Sequence, residues 1–487
     1  MNRTDTDAPL AGRWIAMAAL LVAGFINLID VTIVNVAIPS LQQAFGATDS
    51  QIEWVVAIYI LTFALFLLPM GRLGDVVGRR RMFIAGVTVF TIGSALCGLA
   101  PSIWGLVAAR VVQGIGGAMM TPQTLAIVPA LFAPKERGLA FALFGLSAGL
   151  ASVTGPILGG VLIGADLWGL DWRPIFLVNI PVGVVAVIGA MRYVPRLPAK
   201  PGLAIDGVGI TLAAAATLLV MFPLIEGRQV GWPFWIWAMM ACALPMLAAF
   251  VWWQRRQAAL GRAQLLPVAL FRNRNFVVGT GIVMLLFAGI PGFFLVLAIL
   301  LQVGNGFTPL QSGLTTVPFS IGVLTASLAA GRMGNRWLRP RISTGGLLLA
   351  VCMILLPFVT PQAAGEISRS AFMLPLFLGG LGLGTAISPL FNTVLGQVKD
   401  ADTGSASGAL QSFQQLGGAL GLAVMGQLFF AHLAAGLQAG GDPVSVYSDG
   451  LRMALWFSTA SFLLLAAAVW RLPAPQRAAK LDKSPPA

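Results

Sequence analysis

The stretch GRLGDVVGRRR, Gly71–Arg81, sets four arginines, one aspartate and three glycines in a short polar interval between two long apolar runs. A related stretch, GRMGNRWLRPR, spans Gly331–Arg341, with Asn335 where the first copy has Asp75. Each follows the second apolar run of a set of six. An internal match of this kind suggests two parallel repeats, an arrangement of transporters that bind their cargo between the repeats.

The rest of the chain fits that reading. Of 487 residues, 57% are hydrophobic and only 10% charged, against about 25% charged in soluble domains. Mean hydropathy is +0.87. Apolar runs of about 20 residues, the length that spans a bilayer, recur from end to end. The pattern predicts an all-α polytopic membrane protein with 14 transmembrane helices. They are placed at 13–38, 51–70, 82–100, 102–123, 137–163, 172–193, 205–226, 232–254, 276–303, 310–331, 342–360, 370–395, 403–432 and 449–471. Two six-helix halves then occupy 1–200 and 259–487, with two extra helices inserted at 201–258. The second half opens on a basic, apolar segment, Leu260–Phe276, expected to lie along the inner membrane surface, and closes on a short basic tail.

Charge gives the orientation. The net charge is +13, but it reads as topology rather than as an affinity for nucleic acid. With the N-terminus inside, 25 of the 30 Lys and Arg fall in cytoplasmic loops and termini. The outer loops keep Arg173, Arg228, Arg369 and Arg452, and Arg110 alone lies within a span. That asymmetry obeys the positive-inside rule and puts both termini in the cytoplasm. The first apolar run is too long for a signal peptide and lacks a cleavage site. Cys97, Cys242 and Cys352 all lie in apolar runs and read as packing residues. One histidine, His432, offers neither a metal cluster nor a nucleophile–base pair, so an enzyme is not expected and no cofactor is implied. Glu53, Asp206 and Glu226 stand near helix ends and read as interfacial, as do Trp232, Trp235, Trp237, Trp252 and Trp253 around the eighth span.

The chemistry concentrates in a few polar residues within the spans. Asp30 stands in LLVAGFINLIDVTIVNVAIP, Leu20–Pro39, nine residues before Pro39 and so roughly 13 Å from the outer boundary. A bare carboxylate at such depth is costly. Arg110 lies nine residues after Pro101, again roughly 13 Å deep. The two therefore share a level. They form a candidate proton-coupling pair, the alternative being an ion pair of purely structural use. A carboxylate that alternates between a dry pocket and water can load and release a proton. Asn27 and Gln113 lie one turn toward the cytoplasm and extend the polar track.

Within Gly71–Arg81, Gly71 and Gly78 allow a tight turn and close helix contact. Asp75 is expected to dock at the start of the thirteenth span, where a helix dipole favours an anion. Arg79, Arg80 and Arg81 are expected to pair with Asp400 and Asp402. Together these residues would latch the halves on the inside. The fifth span carries GLASVTGPILGG, with Gly149, Gly155, Pro156, Gly159 and Gly160. It reads either as ordinary tight packing or as a kinked, smooth face between the halves. Gln411, Gln414 and Gln415 fall near mid-membrane on the thirteenth span and are candidate substrate contacts.

These motifs together resemble the major facilitator superfamily, and within it the 14-helix drug:proton antiporters of the multidrug-efflux (EmrB/QacA-like) type. GRLGDVVGRRR is similar to the family's loop between helices 2 and 3. LIDVTIVNVAIP, RVVQGIGGAMMTP and GLASVTGPILGG resemble its first-, fourth- and fifth-helix motifs, and WRPIFLVNIPVG and LFRNRNF resemble further marks of the subfamily. The resemblance covers nearly the whole chain. It implies a proton-coupled antiporter in a bacterial inner membrane, exporting amphipathic small molecules by alternating access, with Asp30 and Arg110 in proton coupling and Gly155–Pro156 favouring export. A monomer working in the lipid bilayer is implied, with accessory efflux proteins as potential partners. The same fold working as a vitamin or nutrient importer is the alternative. Some cation exporters of the group carry carboxylates in the thirteenth span. Here glutamines stand there, which argues against a preference for multivalent cations.

Overall fold

The computed structural model describes residues 12–133, 136–196, 205–227, 230–333, 337–360, 368–396, 398–399 and 402–472. Among them there is no strand. The helices are α1 (Arg13–Phe45), α2 (Asp49–Val77), α3 (Arg79–Gly98), α4 (Ile103–Leu131), α5 (Arg137–Gly164), α6 (Pro174–Leu177), α7 (Asn179–Tyr193), α8 (Gly207–Glu226) and α9 (Phe234–Ala259). They continue as α10 (Val268–Arg272), α11 (Arg274–Ala288), α12 (Pro291–Ile299), α13 (Pro309–Met333), α14 (Leu338–Val359), α15 (Met373–Leu395), α16 (Thr403–Gln438) and α17 (Pro443–Ala468). α6 and α7 run on as one apolar segment, Pro174–Tyr193, and α11, α12 and a following π-turn as another, Arg274–Gly304. Among the described residues, 13 segments are long and apolar enough to cross a membrane. The chain is a multi-pass membrane protein. α5 runs for 28 residues and holds the shorter apolar stretch Thr154–Gly164.

Packing repeats itself along the chain. In the first group α4 packs on α2 and α3, and α3 packs on α7; in the second, α15 packs on α13 and α14, and α14 on α17. The groups meet reciprocally. α2 lies against α16, and α5 lies against α13. Each contact joins the second helix of one set to the fifth of the other, as a twofold relation between repeats requires. The pair α8–α9 stands outside this frame, with α8 seated on α2 and α16. Trp54 meets Phe222, and the Trp232 indole donates to Gln427 Oε1 at 3.1 Å.

Several boundaries differ from the sequence reading. α1 passes through Pro39 to Phe45; one proline removes a single backbone donor, a loss that membrane helices absorb. Gly71 and Gly74 lie inside α2, which stays helical to Val77. Only Gly78, at φ 104°, makes the turn. Gly71 has a different use. A Cβ there would lie 2.5 Å from the Gly404 carbonyl oxygen, so its bare Cα lets α2 touch α16. The basic segment expected along the membrane surface holds only the five-residue α10. Asp206 stands at a helix end, as expected, but is enclosed by protein. It is 7% exposed and caps α8, accepting from Gly209 N at 2.8 Å, Trp253 Nε1 at 2.9 Å and Gln254 Nε2 at 2.7 Å. Cys242 is exposed, whereas Cys97 and Cys352 are buried.

Candidate functional site

Five helices converge where Asp30 lies. The glycines of RVVQGIGGAMMTP let α4 approach its neighbours closely: a Cβ on Gly114 would stand 2.9 Å from the Tyr59 carbonyl oxygen of α2. From the facing side, a Cβ on Gly93 of α3 would stand 2.7 Å from the Gln113 backbone. Side chains of α1, α2, α3, α4 and α7 therefore share one small volume.

In that volume Asp30 and Arg110 are both fully buried. Arg110 Nη1 donates to Asp30 Oδ2 in a direct ion pair. The same nitrogen donates to Gln113 Oε1 at 2.7 Å, and Arg110 Nε donates to the Val55 carbonyl at 3.0 Å. Gln113 Nε2 donates to Asp30 Oδ1 at 2.7 Å and to Ser94 Oγ at 2.8 Å. Asn179 Nδ2 reaches the same two oxygens at 3.4 and 3.2 Å. The guanidinium lies 4.1 Å from the centre of the Tyr59 ring, an attractive cation–π stack. Tyr59 Oη in turn donates to Asn27 Oδ1 at 2.6 Å.

Asp30, Arg110, Gln113 and Asn27 thus fall in one connected network. Ser94, Asn179 and Tyr59 belong to it as well and were missed in the sequence. Asn179 carried a usable signal, an amide a few residues inside an otherwise apolar span. Chemically, the network offers one carboxylate with a fixed countercharge and amide donors that hold both its oxygens. A proton arriving at Asp30 would release the carboxylate's claim on Arg110 and Gln113.

A second polar cluster lies at the turn between α2 and α3. The buried carboxylate of Asp75 accepts from the backbone N–H of Gly404 at 3.1 Å and of Ser405 at 3.2 Å, both in the first turn of α16. A helix N-terminus presents unsatisfied donors and a favourable dipole for this. Ser407 Oγ of α16 donates to the Pro122 carbonyl of α4 at 2.9 Å.

The arginines find partners within their own helix group. Arg79 Nη2 bonds Asp75 Oδ1 at 3.0 Å, one turn back, and Arg79 Nη1 donates to the Ala126 carbonyl at 3.1 Å. Arg80 donates to the Met191 carbonyl near the end of α7. Arg81 is exposed, and among the described residues no ion pair joins Arg80 or Arg81 to Asp402. Arg79 and Arg80 spend donors on carbonyls of their own helix group. Asp400 and Asn335 lie outside the described residues.

Along α5, Gly155 and Gly159 face α1 and not the opposite group. A Cβ on Gly155 would collide with Thr32 Oγ1, and one on Gly159 would press Ile33 Cγ1 at 3.0 Å. The helix continues through Pro156. Gly160 has open space, and the neighbouring Ile157 is the residue that approaches Gly313 of α13. Small residues here serve close packing between the first and fifth helices of one group, with α5 presenting other side chains to α13 and α15. Gly149 lies in α5, outside the residues whose side chains are described. On α16, Gln411 is buried and Gln414 and Gln415 are half-buried. The Gln414 Oε1 atom is buried with no hydrogen-bond partner among the described residues.

Comparison with known proteins accords with this geometry. The Major Facilitator Superfamily model matches residues 20–422. A probable actinorhodin transporter of Streptomyces coelicolor is 37% identical over 437 residues, covering 89% of this chain and 75% of its own. The puromycin resistance protein pur8 of Streptomyces alboniger is 32% identical over 478 residues, covering 96% and 92%. Among solved structures, the human organic anion transporter MFSD10 (TETRAN) shares the fold at a TM-score of 0.65 and 17% identity, over 94% of this chain and 100% of that one. With its repeated helix packing and its family match across most of its length, the chain belongs to the major facilitator superfamily.

Proposed function

We propose that this chain exports an amphipathic small molecule across the cell membrane in exchange for protons. The observation that carries the coupling is the fully buried Asp30–Arg110 pair and its closed ring of amide and hydroxyl partners. Asp30 is the proton carrier, Arg110 its countercharge, and Gln113, Asn179 and Ser94 hold the carboxylate oriented when it is ionised. Asn27 and Tyr59 extend the network, and Gln411, Gln414 and Gln415 of α16 supply uncharged polar contacts to cargo.

Export is favoured by the relatives named for antibiotic transport and resistance. Fourteen spans with both termini in the cytoplasm follow from the charge asymmetry, with α5 as the remaining span. In that frame Asp75 on the α16 N-terminus holds the cytoplasmic ends of the two halves together, and its release lets the cavity open inward. The unit of transport is a single chain, and chemistry on the cargo is not required.

The decisive measurement is transport in inside-out vesicles with an imposed acid-inside pH gradient, using a panel of antibiotics, dyes and vitamins. Accumulation that collapses with a protonophore and is absent in Asp30→Asn supports the reading. Transport indifferent to the gradient removes it. Gradient-driven movement of a nutrient out of these vesicles instead of into them favours the importer.

A further inference from the structure

A cavity of about 710 Å³ lies between α9 and α10, far along the chain from the Asp30 network. Its size falls within the roughly 300–1,000 Å³ of small-molecule sites. Arg255 of α9 and Arg272 of α10 line it, together with Val251, Val268 and Phe271. Both arginines are exposed, and neither makes an ion pair among the described residues. The walls are therefore apolar and the polar groups cationic.

The neighbouring sequence holds little to neutralise that charge. From Gly227 to Gly365 the sequence has no Asp or Glu, while Arg255, Arg256, Arg262, Arg272 and Arg274 cluster within twenty residues. Asp206, which bonds Trp253 and Gln254 beside the cavity, is buried and its oxygens are already taken. The setting is also that of a membrane boundary. Trp252 is 58% exposed with the Arg256 guanidinium 5.5 Å from its ring centre, and α9 is the least buried of the apolar helices. Exposed Trp and Arg at the end of an apolar helix mark headgroup level.

We propose that this cavity binds an anionic phospholipid, with Arg255 and Arg272 on the phosphate and with Val251, Val268 and Phe271 against the glycerol and upper acyl chains. A basic pocket beside membrane helices suits such a headgroup. A free anion would leave the apolar walls unused, and a neutral lipid would leave two guanidinium groups unpaired. The site ties the α8–α9 pair to the start of the second helix group, because α10 leads directly into α11.

The test is native mass spectrometry of the full chain in mixed micelles titrated with phosphatidylglycerol or phosphatidylcholine. Wild type should retain phosphatidylglycerol, and R255Q/R272Q should bind it about 30-fold more weakly, at roughly 1 kcal/mol for each arginine. R471Q, which removes a charge at the end of the last helix, should bind as wild type. A thermal melt checks that the double variant remains folded. Equal phosphatidylglycerol binding by wild type and R255Q/R272Q overturns the proposal. So does equal binding of phosphatidylcholine by wild type, or full displacement of the lipid by glycerol phosphate.

Discussion

Asp30 and Arg110, 80 residues apart in sequence, form a direct ion pair in which neither side chain is exposed. Each group depends on the other, since a buried charge left alone is far costlier than the pair. Asp30→Asn should therefore destabilise the protein by about 3–5 kcal/mol, read as a lowered melting temperature in detergent. Asp30→Asn combined with Arg110→Gln should recover most of that loss. Neither variant should drive transport from a pH gradient. Gradient-driven transport at the wild-type level in either would show that the pair is only structural.

Asp75 bonds two backbone N–H groups at the start of α16 through a charged carboxylate. Hydrogen bonds to charged groups are worth about 1.5–3 kcal/mol each. Asp75→Asn keeps the shape, and it should shift the two-state population at the α2–α16 contact by at least 10-fold. The readout is labelling of single cysteines engineered into the facing ends of α2 and α16, in a background where exposed Cys242 is replaced by serine. Unchanged labelling rates would mean that the contact carries no conformational weight.

Gly155 and Gly160 are neighbours on α5 with opposite expectations. Gly155→Ala places a methyl group against Thr32 Oγ1 and Cβ, so α5 must move off α1, at a cost of about 1–3 kcal/mol. Gly160→Ala meets nothing within 4 Å and should be neutral. Melting temperatures of the two variants decide the matter, and Thr32→Ala should partly rescue Gly155→Ala.

Asp206 clasps the base of α8 to α9. Asp206→Ala strands the Trp253 indole and the buried Gln254 amide, each at about 1–3 kcal/mol. Stability should fall, while the pH dependence of transport by the surviving protein stays that of wild type. A shifted pH profile would place Asp206 in the coupling path.

Much of the site was legible because rise per residue is fixed. Counting inward from Pro39 and Pro101 put Asp30 and Arg110 at one level, and counting one turn further found Gln113. The same arithmetic applied to Asn179 would have added it. Tyr59 was out of reach, because its place depends on how α2 is rotated against α1, which no spacing encodes. The carbonyl partners of Arg79 and Arg80 were out of reach for a related reason. Charge pairing in sequence proposes acids as partners, whereas folded arginines also take carbonyls, and Ala126 and Met191 carry no mark that singles them out. Which glycine of Gly71–Arg81 turns the chain and which allows close contact was not legible, because glycine signals both and only the facing helix distinguishes them.

The receiving end of the Asp75 contact is made of main chain. Replacing the Ser405 side chain leaves its N–H in place, and Gly404 has no side chain to lose. Gly404 is nevertheless pinned, since a Cβ there would run into the Gly71 carbonyl and the Asp75 carboxylate. The contact is therefore one-sided under mutation. Its donor end yields to proline, which deletes an N–H, or to added bulk, while loss of the carboxylate charge at Asp75 weakens it from the other side. A second-site reversion of an Asp75 variant cannot come from re-pairing across the contact. It has to come from elsewhere in the balance between the two conformations.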